Sequence, residues 1–139
     1  MKLFNIGTNN TTSSLWLLLL RVAVASFMLT HGWPKFQNLI LGNFQFADPI
    51  GIGMKTSLVL TVFAEVLCSI LIFIGLATRL ATIPLIINMI VIVFVVAAKD
   101  GFAKQEFPLL YLLIYITIAV FGPGKFSVDA AIGGRRGRR

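Results

Sequence analysis

Three polar side chains stand inside stretches that are otherwise apolar. Arg21 lies two turns into the run that starts at Leu15, Glu65 near the middle of 56–77, and Asn88 near the middle of 80–98. A charge at the centre of a bilayer costs about 2.5–3.5 kcal/mol on insertion scales, so each must face other protein groups. Arg21 and Glu65 have opposite charges, and adjacent antiparallel helices bring such residues close. This predicts a buried Arg21–Glu65 pair, with Asn88 hydrogen-bonded to it, that pins helix register. The same residues also suit a polar cavity that handles protons or binds a headgroup.

Other side chains extend this set. His31 and Lys35, four residues apart, share a helix face across Pro34. They suit either a hydrogen-bonded structural role or contact with a bound ligand. Tyr111 and Tyr115 are also four apart, and buried tyrosine hydroxyls need partners. They pack as aromatic rings or complete the polar centre with Glu65 and Asn88. Cys68 follows Glu65 by three residues and reads as a small packing residue. A single cysteine and a single histidine exclude an internal disulfide, bis-histidine haem ligation and a multi-histidine metal cluster, so no metal site is expected.

The elements that must position these groups are membrane spans. The chain has 139 residues, 58% hydrophobic and 12% charged, with mean hydropathy +0.93. So small and apolar a chain cannot cover its apolar side chains in a core of its own. The expected fold is an all-α, four-transmembrane-helix bundle. Residues 1–14 form a cytoplasmic segment without a cleavage site, and residues 15–130 form the membrane domain. Its spans are placed at about 15–33, 56–77, 80–98 and 104–121. Ser13 or Ser14 is the expected N-cap of the first span, and Pro34 is expected to kink or end it. Trp16 and Trp33 are then about 25 Å apart, near opposite headgroup layers. Residues 36–55, broken by Gly42, Asp48, Pro49, Gly51 and Gly53, read as an interfacial loop between helices 1 and 2. The link at Thr78-Arg79 predicts a tight hairpin between spans two and three. Pro108 suits a first helical turn, and Gly122-Pro123-Gly124 stops the fourth span.

Net charge is +7. The basic residues are not interleaved with an aromatic face, so nucleic-acid binding is not expected. Arg135, Arg136, Arg138 and Arg139 form a basic tail within 131–139, read as a flexible end beside anionic headgroups. Lys2, Arg79, Lys125 and the tail outweigh Lys35, Lys55, Lys99 and Lys104, which places both termini in the cytoplasm.

Four local patterns, in order, resemble the DoxX family of small integral membrane proteins. They are His31-Gly32-Trp33-Pro34-Lys35; Glu65 followed by Gly75-Leu76-Ala77-Thr78-Arg79; Glu106-Phe107-Pro108-Leu109-Leu110; and Gly122-Pro123-Gly124-Lys125-Phe126-Ser127-Val128-Asp129. The resemblance implies a multi-pass bundle of the bacterial inner membrane, associated with redox or membrane subunits, and fixes fold better than function. Some members are subunits of thiosulfate:quinone oxidoreductases. A quinone-associated or accessory subunit is therefore expected. Arg21, His31, Lys35, Glu65, Asn88, Tyr111 and Tyr115 are the candidate quinone or lipid ligands. Gly122, Pro123, Gly124 and Asp129 form a structural stop in which Ser127 or Asp129 caps backbone donors. No covalently bound cofactor is expected, and quinone is the candidate ligand. Partners would be the bilayer, other redox subunits or a second copy of the chain. A non-catalytic anchoring subunit is the alternative. A proton-coupled transporter is disfavoured by the lack of an inverted repeat.

Overall fold

The computed structural model describes the backbone of residues 10–136 and the side chains of 11–133. Lys2 and the rest of 1–9, the side chains of Arg135 and Arg136, and Arg138 and Arg139 lie outside the described residues. Every regular element described is helical. Helix α1 is Asn10–Ile40, α2 is Met54–Ile74, α3 is Thr78–Val96, α4 is Phe102–Phe121 and α5 is Val128–Arg136. The first four are long and apolar enough to cross a membrane. A continuous helix pairs its backbone groups internally, which a hydrocarbon environment requires.

The four helices close into a bundle in which α1 lies along α2, α2 along α3, α3 along α4, and α4 returns to α1. Val24, Ala25, Met28, Ala64, Cys68, Ile72, Ala81, Leu85, Met89, Tyr115 and Ile118 fill the centre. Small residues such as Ala25, Ala64 and Ala81 let the helices approach closely. Outward positions carry large apolar side chains, among them Trp16, Phe27, Phe94 and Phe121, as a lipid-facing surface requires.

Several boundaries differ from the sequence expectation. Helix α1 does not end at Pro34 but runs to Ile40, and Leu41 N–H still bonds the Gln37 carbonyl at 3.0 Å. Proline deprives only the Thr30 carbonyl of its helical partner, and Thr30 is exposed, so another group can take that role. At 31 residues, about 45 Å long, α1 exceeds the roughly 30 Å hydrocarbon layer. The interfacial loop therefore starts at residue 41 rather than 36. Ser13 and Ser14 lie inside α1 and are not its cap; Ser14 Oγ instead accepts the Lys125 N–H at 3.2 Å. Pro108 stands in the second turn of α4, not the first.

The hairpin between α2 and α3 turns at Gly75-Leu76-Ala77, and Thr78-Arg79 already belong to α3. Gly75 ends α2 in the left-handed region, with its own N–H and that of Leu76 both bonded to the Leu71 carbonyl at 2.9 Å. Ala77 also has positive φ, 46°, a strained value for a residue with a Cβ. Asp129 holds it there, Oδ1 accepting the Ala77 N–H at 2.7 Å and Oδ2 the Thr78 N–H at 2.9 Å. Helix α5 is capped by Ser127, whose Oγ accepts the Ala130 N–H at 3.1 Å. Its backbone continues through Gly133-Gly134 to Arg136, so the tail does not become irregular at the glycines.

Candidate functional site

Glu65 is 1% exposed and sits in a π-helical turn, Phe63–Cys68, within α2. Such turns insert one extra residue into a helix and occur frequently at functional sites. Lys35 Nζ donates to both Glu65 oxygens, at 2.9 Å and 2.7 Å. Asn88 Nδ2, from α3, donates to Glu65 Oε1 at 3.0 Å. Three helices thus converge on one carboxylate. The pair is asymmetric: the Lys35 side chain is 29% exposed and the Glu65 side chain 2%. The lysine stem reaches in from the loop end while its α1 backbone remains near the surface.

Gly32 makes this approach possible. A Cβ there would lie 2.9 Å from Glu65 Cβ and from Val66 Cγ2. In the His31-Gly32-Trp33-Pro34-Lys35 run, the glycine lets α1 touch α2 at the acid, and the lysine three residues later neutralises it. The His31-Gly32-Trp33-Pro34-Lys35 motif does not by itself give Gly32 a role. Its signal was a glycine inside a long apolar helix, where close backbone approach is the usual reason.

Two cavities flank the cluster. The larger, about 600 Å³, is lined mainly by apolar side chains of α2, α3 and the 41–53 loop, with Lys35, Ser57, Thr61 and Asn88 as its polar lining. The smaller, about 190 Å³, is bounded by His31, Lys35, Glu65, Tyr111 and the apolar Met28, Met89, Ile92, Phe107 and Pro108. Lys35 borders both. The His31 and Tyr111 rings meet edge to face with centroids 6.1 Å apart, and Tyr111 stacks on Tyr115 at 6.2 Å.

The 41–53 loop closes the larger cavity with Phe46, Pro49, Ile50 and Ile52. Asp48 ties it to the start of α2. Its Oδ2 accepts the Gly53 N–H at 2.9 Å, and its Oδ1 accepts the Ile52 N–H at 2.9 Å and the Ser57 hydroxyl at 3.1 Å. The Gly53 bond, with those from Ile52 and Ser57, outweighs the opposing desolvation and holds the Asp48 carboxyl below the usual carboxylate range. Lys35 Nζ also lies 5.8 Å from the Phe46 ring centre. Nothing local in the sequence says which cavity Phe46 covers, because that depends on contacts with α2 and α3.

Arg21 is not part of this cluster. The expected Arg21–Glu65 pair is replaced by Lys35–Glu65. Arg21 is 0% exposed and works at the other end of the bundle, where Nη1 donates to the Ile72 carbonyl at 3.1 Å and Nη2 to the Phe126 carbonyl at 2.6 Å. Ile72 is seven residues beyond Glu65 along α2, about 10 Å on a helix. Gly75 packs on the guanidinium, where a Cβ would collide with it. Gly122 packs on Arg79 and Gly124 on the Ser14 backbone, so the Gly122-Pro123-Gly124 stop is a docking surface for two helices. Pro123 separates these two contacts. Asp129 caps α3 as described. Partial burial works to raise its carboxyl, but the Thr78 and Ala77 N–H groups and the nearby Arg21 charge prevail and hold it below its ordinary value.

The structure therefore defines a class, a four-helix membrane protein with a hydrogen-bonded acid–base–amide cluster between two cavities. The chain belongs to the DoxX family, whose model matches residues 16–98. It is similar to the protein named "Putative oxidoreductase CatD" of Bacillus subtilis (strain 168), with 33% identity over 129 residues, covering 92% of this chain and 88% of that one. No solved structure matches the chain significantly. The matched segment contains Lys35, Glu65 and Asn88, while Tyr111, Tyr115 and Asp129 lie beyond it.

Proposed function

We propose that this protein is a quinone-associated subunit of a redox assembly in a bacterial inner membrane, with both termini in the cytoplasm. One observation carries the reading: Lys35 and Asn88, both bonded to the buried Glu65, place donors on the wall of an apolar cavity of about 600 Å³. A site for a lipid-soluble ring needs such apolar lining with a few fixed donors. Lys35 spends two of its three N–H donors on Glu65, leaving one for a carbonyl oxygen. Asn88 uses one amide hydrogen on Glu65 and keeps the other. Glu65 holds the lysine in place from behind that wall and lines the smaller cavity, where it can accept or donate a proton. A quinone, when bound, supplies a two-electron, two-proton couple, and a partner subunit would provide the electrons. The name borne by the Bacillus relative is consistent with this reading.

The test is purification in mild detergent, solvent extraction and quantification of quinone, followed by titration with a short-chain quinone. About one quinone per chain is expected, and Asn88→Leu should weaken binding roughly tenfold, the equivalent of about 1.4 kcal/mol. A protein that neither retains nor binds quinone, yet co-purifies stoichiometrically with another subunit, would be an anchoring subunit instead. Reporter fusions at the C-terminus test the orientation, with cytoplasmic activity expected.

A further inference from the structure

The smaller cavity reaches the Glu65 carboxylate, which the larger one does not line. At about 190 Å³ it has room for around six waters at roughly 30 Å³ each. Its polar boundary is His31, Lys35, Glu65 and Tyr111. His31 is exposed at the loop end, and Lys35 is part-exposed. Among the described residues, neither the His31 ring nor the Tyr111 hydroxyl has a hydrogen-bond partner, and both residues line the cavity.

The polar groups continue inward. Tyr115, stacked on Tyr111, is 0% exposed, and its hydroxyl has no partner. The Ser69 hydroxyl, one helical turn below Glu65, is also buried and unpartnered. The two hydroxyls are neighbours without the alignment of a hydrogen bond. Buried polar groups left open in this way ordinarily hold water. Below them Val24, Ile72, Leu85 and Ile118 form an apolar layer, beyond which lie the buried Arg21, Thr78 and Thr82 of the terminal end.

We propose that the smaller cavity is a one-sided, water-filled proton port. It runs from His31 at the loop end past Glu65 to Tyr115 and Ser69, and it is sealed from the end that carries the termini. A proton entering from water would pass through the His31 mouth and the enclosed water to the Glu65 carboxylate, and would leave by the same route. This deepens the quinone reading, since it gives the cavity opposite the ring a means of exchanging protons. Hydration of the port, however, is measured without quinone. A dry port with quinone bound would sink this inference alone, and a wet port without quinone would sink the other.

The experiment is thiol labelling of the full chain in sealed vesicles, with Cys68 replaced by alanine. Met28→Cys and Met89→Cys place a thiol on the port. Leu85→Cys and Ile118→Cys place one in the seal. Asn43→Cys and Lys125→Cys mark the two faces. With a small, membrane-impermeant thiosulfonate, the port thiols should react within about tenfold of Asn43→Cys, from that face only, because modification requires a hydrated thiolate. The seal thiols should stay unreactive from either face. Unreactive port thiols in a folded variant would overturn the port, and reactive seal thiols or labelling from the Lys125 face would overturn its one-sidedness. Hydroxyl-radical footprinting of the unsubstituted protein needs no variant to fold: Tyr115 should be oxidised despite its burial, and protection of both Tyr111 and Tyr115 would refute the proposal.

Discussion

At the loop end, Lys35 and Glu65 bond to each other; at the opposite end, Arg21 and Asp129 bond to the backbone. Arg21 donates to the carbonyls of Ile72 and Phe126, and Asp129 accepts from the N–H groups of Ala77 and Thr78. The ingredients are alike, a cation and a carboxylate in each place. Their commitments differ. The guanidinium and carboxylate of the terminal end hold the α2–α3 turn against the segment leading into α5, with Gly75 packed on the guanidinium. The loop-end pair leaves donors free and borders two cavities. A buried charge that is spent on the main chain is a fastener. One that is balanced by another side chain beside an open volume is available to a ligand.

The largest expected effect tests whether the two ends are separate units. Lys35→Met leaves the Glu65 charge buried and unpaired, which typically costs about 3–5 kcal/mol. Combining Lys35→Met with Glu65→Gln should restore part of that loss. Arg21→Met leaves two carbonyls without a donor, each worth about 1–3 kcal/mol. Combined with Glu65→Gln, its effect should be additive within about 0.5 kcal/mol, since the two share no partner. Thermal unfolding in detergent measures both cycles. Strong non-additivity between Arg21 and Glu65 would merge the two ends.

Glycine substitutions sharpen the same contrast at a smaller scale. Gly32→Ala forces a Cβ against Glu65 and Val66, and such overpacking costs about 1–3 kcal/mol. Gly75→Ala meets Arg21 and adds the strain of positive φ. Both should lower the unfolding temperature, but only Gly32→Ala should also weaken quinone binding in the titration. Equal weakening by Gly75→Ala would mean that the terminal end controls the site.

Much of this was legible in the sequence. Four apolar runs gave four spans, because hydrocarbon leaves so few alternatives for the backbone. Glu65 and Asn88 were placed together correctly, as polar groups at mid-span with no choice but to meet. The partner of Glu65 was misassigned through depth. From the terminal end, Arg21 is six residues into the expected span 15–33, whereas Glu65 is twelve residues from the end of 56–77, a mismatch of about 9 Å. Matching charges overlooked that gap. It also overlooked that a buried arginine can be satisfied by carbonyls alone, and that a lysine nearer the surface can reach inward. The π turn at Glu65 and the loop over the larger cavity had no signal in periodicity, since both depend on contacts between elements distant in the chain.

The smallest predicted effect concerns pH and separates the ends once more. Asp129 Oδ1 and Oδ2 accept two N–H bonds at the start of α3, and its carboxyl is held below its ordinary value. A carboxyl shifted downward on folding stabilises the fold above its unfolded pKa, about 3.9. That contribution is lost as pH falls through the lower, folded value. Asp129→Asn should therefore cost about 1 kcal/mol at neutral pH, the usual worth of a capping side chain, and progressively less below about pH 4. Arg21→Met removes one of the influences that depress the Asp129 carboxyl, so it should raise the folded value toward the unfolded one and make this acid loss smaller. Lys35→Met acts at the other end and should leave the size of that loss unchanged. Unfolding temperatures measured from pH 7 to pH 3 distinguish the three variants, and an acid loss that shrinks with Lys35→Met rather than Arg21→Met would show that the acid response belongs to the loop-end pair.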